Sequence, residues 1–229
     1  MQGKIKLYYF DIYGRAEPIR MLFYHAKVDF EDIKFEYPRF KELKETLGEE
    51  VFEFGQVPVI ETPDGQHFAQ SLSILRLLGK WYGSPRYYPE DPVKAWRVDS
   101  TLDANADLQE KYWDVQMAGY KGETEDKQKK LLEDFLNKTL PAYLKVMQKR
   151  LIANGGSHQY FVGEHVTLAD FNNAHVAYTY FLNESNKHHK ELSEVLHRED
   201  FKELLRYYQC LRNDVFKDYF DQRPTGKPF

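Results

Sequence analysis

The chain of 229 residues contains a single cysteine, Cys210. That excludes an internal disulfide and any Cys-x-x-Cys redox pair, and it suits a reducing, cytoplasmic setting. No apolar run nears the roughly 20 residues that cross a bilayer. The opening "MQGKIKLYYF" also lacks the apolar stretch of a secretory leader, so no membrane partner is expected. A net charge of −4 and the lack of a dense basic stripe speak against nucleic acid. No low-complexity run argues disorder. The excess is aromatic, with 17 Tyr and 16 Phe. Such content serves core packing or a site for flat apolar ligands, and composition does not choose between them.

The first eighty residues alternate strand and helix patterns. "KIKLYYF" and "VDFEDIKF" read as strands. Arg15 to Ala26 reads as a helix with Pro18 in its first turn, where proline is tolerated. Tyr37 to Leu47 reads as a polar helix and "GEEVFEFG" as an acidic loop. "VPVIET" and "QHFAQ" are short strands joined by the turn signal "PDG", and Ser71 to Tyr82 places Leu72, Leu75, Leu78 and Trp81 on helical spacing. The order β-α-β-α-β-β-α predicts a small mixed sheet covered by helices over residues 1–83. "GSPRYYPEDP" predicts a linker at 84–92, and 93–229 reads as an all-helical domain closing on the non-helical tail "QRPTGKPF". Within it, "VTLADF" is a helix start in which Thr167 caps, Asp170 reciprocates and Val166 staples to Phe171.

Two stretches can carry chemistry. In "GQVPVI", Val57 precedes Pro58, and X-Pro is the one bond type that is readily cis. A cis bond there would turn the Val57 backbone N–H and C=O outward to pair with an extended peptide. In "QSLSI", Ser71 opens a helix, so it either caps that helix or faces an anion at the positive end of the helix dipole, and both can hold. Tyr8 and Tyr9 are adjacent on a strand, so only one of them faces any site beyond its carboxyl end.

The stretches "LYYFDIYGRAEPIR", "FGQVPVIET", "FAQSLSILRLL", "VTLADF" and the closing "RP…KPF" fall in order across nearly the whole chain. Together they resemble the cytosolic glutathione transferases of the sigma class, which includes hematopoietic prostaglandin D synthases and lens S-crystallins. The resemblance implies a thioredoxin-like α/β domain joined to an all-α domain. It implies glutathione as co-substrate, small hydrophobic electrophiles as second substrates, a homodimer, and no metal. It makes Tyr9 the catalytic tyrosine, with its phenol donating to the glutathione sulfur, and Arg15 its supporting arginine. Val57 and Pro58 would hold the cysteinyl backbone, Gln70 and Ser71 the γ-glutamyl end, and Lys44 and Gln56 the glycyl end. Asp107 would reach across the dimer to the partner's γ-glutamyl amine. Ile12, Tyr13, Tyr112, Trp113 and Phe229 would line the second-substrate site, although Tyr112 and Trp113 read equally well as core.

Three departures stand out. Phe40 replaces a tryptophan that contacts the glycyl carboxylate, and phenylalanine has no N–H to donate. "GEEVFE" at 48–53 resembles an insertion beside the glycyl end. "NGGSHQY" and the region around "NESNKHHKEL" also read as longer than usual. Adjacent His188 and His189 read as solvated rather than as metal ligands, and Ala106 replaces one acid of an interface metal cluster that Asp103 and Asp107 otherwise match. Two further activities share the pattern: a prostaglandin H to D isomerase using the same thiolate, and a crystallin-like or ligand-binding protein without turnover.

Overall fold

The computed structural model of the chain describes residues 3–83, 86–155, 160–227 and 229. Ser84 and Pro85 of the expected linker, residues 156–159 of the long "NGGSHQY" stretch and Pro228 of the tail lie outside them.

The two alternating segments near the start become β1 (Ile5–Phe10) and β2 (Phe30–Phe35), which pair in parallel across the helix α1 (Glu17–His25). The "PDG" turn joins β3 (Val59–Glu61) and β4 (His67–Ala69) as an antiparallel hairpin, and β3 also runs antiparallel to β1. The resulting four-stranded mixed sheet has the order β2-β1-β3-β4. On one face lie α1 and α3 (Ser71–Gly83), and on the other α2 (Tyr37–Val51). Alternation in β1 then separates the two tyrosines. Tyr9 packs into the core shared with α1 and α3, and Tyr8 joins Phe35, Phe40 and Phe52 on the opposite face. The Tyr8 hydroxyl donates to Glu61 at 2.6 Å, which satisfies it away from any cleft.

The acidic stretch corrects the expectation of a loop. Helix α2 continues to Val51 through a kink at Gly48, whose φ of +65° is the left-handed conformation that glycine adopts freely. Phe52 explains the ordering, because it is 2% exposed and meets Phe40 edge-on at 5.4 Å. Apolar anchoring outweighs the three acids of the segment, Glu49, Glu50 and Glu53, which stay on the solvent side.

From α4 (Pro92–Met117) onward every regular element among the described residues is helical. They comprise α5 (Glu125–Asp134), α6 (Leu140–Ala153), α7 (Leu168–Val176), α8 (His189–Leu196), α9 (Lys202–Cys210) and α10 (Lys217–Gln222). This is the expected fold class, an α/β thioredoxin-like part followed by an all-α part. Asp91 caps α4 by accepting from the Lys94 N–H at 2.8 Å. Every residue of α7 is buried, and the helix packs against both α4 and α1, so it is the axle between the two parts. At its start Asp170 accepts from the Thr167 N–H at 2.7 Å, as the capping box predicts, and also from the Phe161 N–H and the Tyr207 hydroxyl, each at 2.7 Å. Those two extra bonds make the cap a junction of three segments. No helix is long and apolar enough to cross a membrane among the described residues.

Candidate active site

The turn after β1 is held by Arg20 from α1. Its guanidinium donates to the carbonyls of Ile12 and Tyr13 at 2.9 and 3.1 Å and pairs with Asp32 of β2 at 2.9 Å. The chain then closes a single 3₁₀ turn, Gly14–Ala16, and Gly14 takes φ +44°. Glycine is required twice over here. Besides the left-handed backbone, a Cβ at Gly14 would lie 2.4 Å from the Tyr9 hydroxyl oxygen. That close approach lets the backbone N–H of Arg15 donate to the Tyr9 hydroxyl at 2.9 Å.

Tyr9 is 6% exposed, and burial raises its pKa, opposed by the Arg15 N–H and by the charges of Arg15 and Arg20. The phenol therefore stays protonated at neutral pH. Its oxygen already accepts one hydrogen bond, and its own proton has no acceptor among the described residues. A buried neutral donor aimed into a cleft is suited to an anionic partner, since charge-assisted bonds are about twice as strong as neutral ones.

The cleft is a cavity of about 320 Å³ between the two parts of the fold. Tyr9, Ile12 and Arg15 line it from the β1–α1 turn, Phe40 from α2, Gln56 and Val57 from the strand approach, and Trp113 and Phe229 from the helical side. The Val57–Pro58 peptide is cis. A second hollow beside it brings Gln56, Val57 and Pro58 together with Gln70, Ser71 and Arg15. Gln70 has φ +69°, a strained value for a residue with a Cβ, and it leads directly into Ser71 at the N-terminus of α3. A third cavity, about 330 Å³, opens from Arg15, Gln70 and Ser71 toward Asp107, Glu110 and His175. Arg15 borders all three, and its guanidinium makes no ion pair or hydrogen bond among the described residues.

Three expected residues sit elsewhere. Tyr13 is covered by the chain's last segment: Arg223 stacks 3.6 Å from its ring centre and pairs with buried Glu17, and its hydroxyl donates to the Pro224 carbonyl. Tyr112 is 2% exposed, donates to Asn186 at 2.8 Å and packs against Phe135, so it belongs to the core. Lys44 lies over the Phe40 ring at 4.8 Å and borders a separate surface hollow with Lys41 and Glu49. Phe40 itself is 5% exposed and stacks on Phe35 at 5.6 Å, which leaves one ring edge to the cleft. Trp113 does line the cleft, where it meets Phe229 edge-on at 6.4 Å. Phe229 is held there by its carbonyl, which accepts from the Tyr13 N–H at 2.9 Å.

A family model described as "Glutathione S-transferase, C-terminal domain" matches residues 106–221. The Caenorhabditis elegans protein "Glutathione S-transferase 3" is 34% identical over 168 residues, which are 72% of this chain and 74% of that one. The chain belongs to the glutathione S-transferase family. Similar too is the hematopoietic prostaglandin D synthase of Gallus gallus, 32% identical over 166 residues, 72% of this chain and 74% of its own. Among solved structures, a glutathione S-transferase from Ascaris lumbricoides superposes with a TM-score of 0.75 at 27% identity, covering 99% of this chain and 100% of that one.

This transferase also brings to its cleft residues that sequence reasoning missed: Phe10, Tyr37, Gln109, Gln116 and Tyr180. Tyr37 and Phe10 were visible as aromatics near the right loops. Gln109 and Gln116 flank Trp113 at helical spacing on α4, a signal that was available. Tyr180 carried none, because it sits in a π-helical turn, Ala177–Phe181, where ordinary helical spacing does not hold. No cluster of three or more His, Cys, Asp or Glu side chains is placed to hold a metal among the described residues.

Proposed function

We propose that this chain binds glutathione with its sulfur against Tyr9 and transfers the thiolate to small, apolar electrophiles. The observation that carries the reading is the buried, protonated Tyr9 phenol, polarised by the Arg15 N–H at 2.9 Å and facing a cleft that also holds Val57. A thiol has a pKa near ~8.5 in water. One charge-assisted hydrogen bond stabilises the thiolate by roughly 1.5–3 kcal/mol. At about 1.36 kcal/mol per unit, that brings the bound thiol toward ~7. The thiol proton leaves to solvent. The thiolate lone pair then forms the new sulfur–carbon bond, and a leaving group such as halide departs with its bonding electrons.

Val57, which borders both the cleft and the hollow beside it, suits pairing with the cysteinyl backbone, and Gln70 with Ser71 at the α3 N-terminus supports holding the γ-glutamyl carboxylate. Gln56 borders two of the hollows and suits the glycyl end. Lys44 serves that end only by leaving its seat on Phe40. Ile12, Trp113 and Phe229 give the second substrate an apolar wall. Asp107 borders the cavity that holds Gln70 and Ser71, and in the homodimer we propose it answers the γ-glutamyl ammonium of the glutathione bound by the partner subunit. The setting is the cytoplasm, in line with the single cysteine. Likeness to a hematopoietic prostaglandin D synthase supports a second reading, isomerisation of a prostaglandin endoperoxide by the same thiolate. Conjugation of glutathione to an activated aryl halide tests the first reading. Turnover that saturates in glutathione is the expected result, and no turnover together with no glutathione binding would sink it.

A further inference from the structure

His175 on α7 is 1% exposed and borders the cavity that holds Arg15, Gln70, Ser71 and Asp107. Its Nδ1 lies 3.0 Å from the Thr179 hydroxyl one turn on, and its Nε2 has no hydrogen-bond partner among the described residues. A buried ring nitrogen left unmatched is rare enough to require a reason. The ring is neutral: burial, with Arg223, Arg15 and Arg20 nearby, lowers its pKa to about 3. Thr179 Oγ1 can accept from an Nδ1–H, and in that tautomer Nε2 carries the lone pair; nearby positive charge favours a lone pair there over an N–H.

Arg15 is the complementary group. It is exposed, long and flexible, carries five donors, and has no protein acceptor for its guanidinium among the described residues. One orphan acceptor and one orphan donor fork thus border a single cavity, beside the phenol that the Arg15 backbone already holds. We propose that His175 is a positioning residue for Arg15: with glutathione bound, Nε2 accepts from the Arg15 guanidinium and fixes that charge near the sulfur. The inference rests on the glutathione reading above. It explains why a neutral imidazole, rather than a carboxylate, stands here. A carboxylate would neutralise Arg15 and forfeit its attraction for the thiolate, while imidazole orients the charge and leaves it intact.

The test is the pKa of the bound glutathione thiol, read from its ultraviolet thiolate absorbance across pH, beside the affinity for S-methylglutathione. His175→Leu is expected to raise the thiol pKa by about one unit, an about tenfold loss of thiolate at low pH. Affinity for S-methylglutathione should change by less than about threefold, because the effect lies on the thiolate. His175→Gln, which keeps an acceptor, should restore most of the native value. Thr179→Val keeps the imidazole but removes what locks its tautomer, and it should raise the thiol pKa as well. In an Arg15→Leu background, His175→Leu should add nothing. A native thiol pKa in both His175→Leu and Thr179→Val, or an undiminished effect in the Arg15→Leu background, would overturn the inference alone. Absence of any thiolate signal from the native protein would overturn the glutathione reading and this inference with it.

Discussion

Tyr9→Phe is the substitution that most directly probes the chemistry. The ring stays packed in its 6% exposed seat, and only the hydroxyl that accepts from Arg15 at 2.9 Å is removed. Two things are lost: the donor that the proposed reading assigns to the thiolate, and the acceptor for one backbone N–H, the latter costing about 1 kcal/mol of stability. If the donor lowers the thiol pKa from ~8.5 to ~7, its removal at about pH 6.5 cuts the thiolate fraction from roughly a quarter to about one in a hundred. That is a loss of about 25-fold. The variant's more basic thiolate is also the better nucleophile, with a Brønsted slope of ~0.4–0.5, which recovers up to about fivefold. Conjugation of an activated aryl halide should therefore fall between about 5-fold and 25-fold at that pH, and the gap should close as pH approaches the free thiol's pKa near ~8.5. Steady-state rates of both proteins from acid to alkaline pH, with thermal melting as a folding control, supply the assay. Equal rates at pH 6.5, or a deficit that is constant with pH, would refute thiolate stabilisation by Tyr9.

Gly14→Ala should cripple the site without removing a polar group, since its Cβ would meet the Tyr9 oxygen at 2.4 Å and its φ is +44°. The expected result is a rate no better than that of Tyr9→Phe and a stability loss of about 1 kcal/mol or more, read by chemical denaturation. Asp170→Ala leaves the Phe161 and Thr167 N–H groups and the Tyr207 hydroxyl buried without an acceptor. It should cost about 3–5 kcal/mol in a denaturant titration, and a cost under about 1 kcal/mol would contradict the junction described for it. His175, with its pKa lowered to about 3 in the fold, binds its proton more weakly than the unfolded chain does. Its stabilising contribution is thus full above the unfolded pKa and is lost as pH falls from there toward 3. Asp170, pushed up to about 6 by burial, has the opposite sign, so the native slope alone is ambiguous. The difference between native protein and His175→Leu isolates the histidine. Between pH 7 and 5 the native protein should lose about 2 kcal/mol more than the variant, and parallel curves would refute a buried neutral imidazole.

Much of the fold was written locally. Alternation in "KIKLYYF" and "VDFEDIKF", the "PDG" turn and the Leu72–Leu75–Leu78 stripe specify strands, a hairpin and a helix from neighbours alone, and each forms where expected. Alternation also put Tyr8 and Tyr9 on opposite faces, and "VTLADF" announced its own cap. The "GEEVFEFG" stretch misled because its charge pattern is local, while the burial of Phe52 against Phe40 and Tyr8 comes from β1 and α2 together. The cleft was half legible. Tyr9, Arg15, Val57, Gln70 and Ser71 stand at strand ends and helix starts, places that turn chemistry marks in the sequence.

The helical wall was not legible in that way. Trp113 faces the cleft and its neighbour Tyr112 the core, a rotation of one residue along α4 that depends on what the helix packs against. The last segment covers Tyr13 because Arg223 finds Glu17, a partner 206 residues away. Tyr180 and His175 enter only through the π-helical turn and the packing of α7 between both parts of the fold. The sequence by itself determined most of the elements, their order and the strand end that meets the cleft, since those follow from periodicity, capping and backbone preference over a few residues. Tertiary structure alone decided which face of each helix meets the cleft and which buried polar atoms stay unmatched, because burial is a property of surfaces brought together from distant parts of the chain.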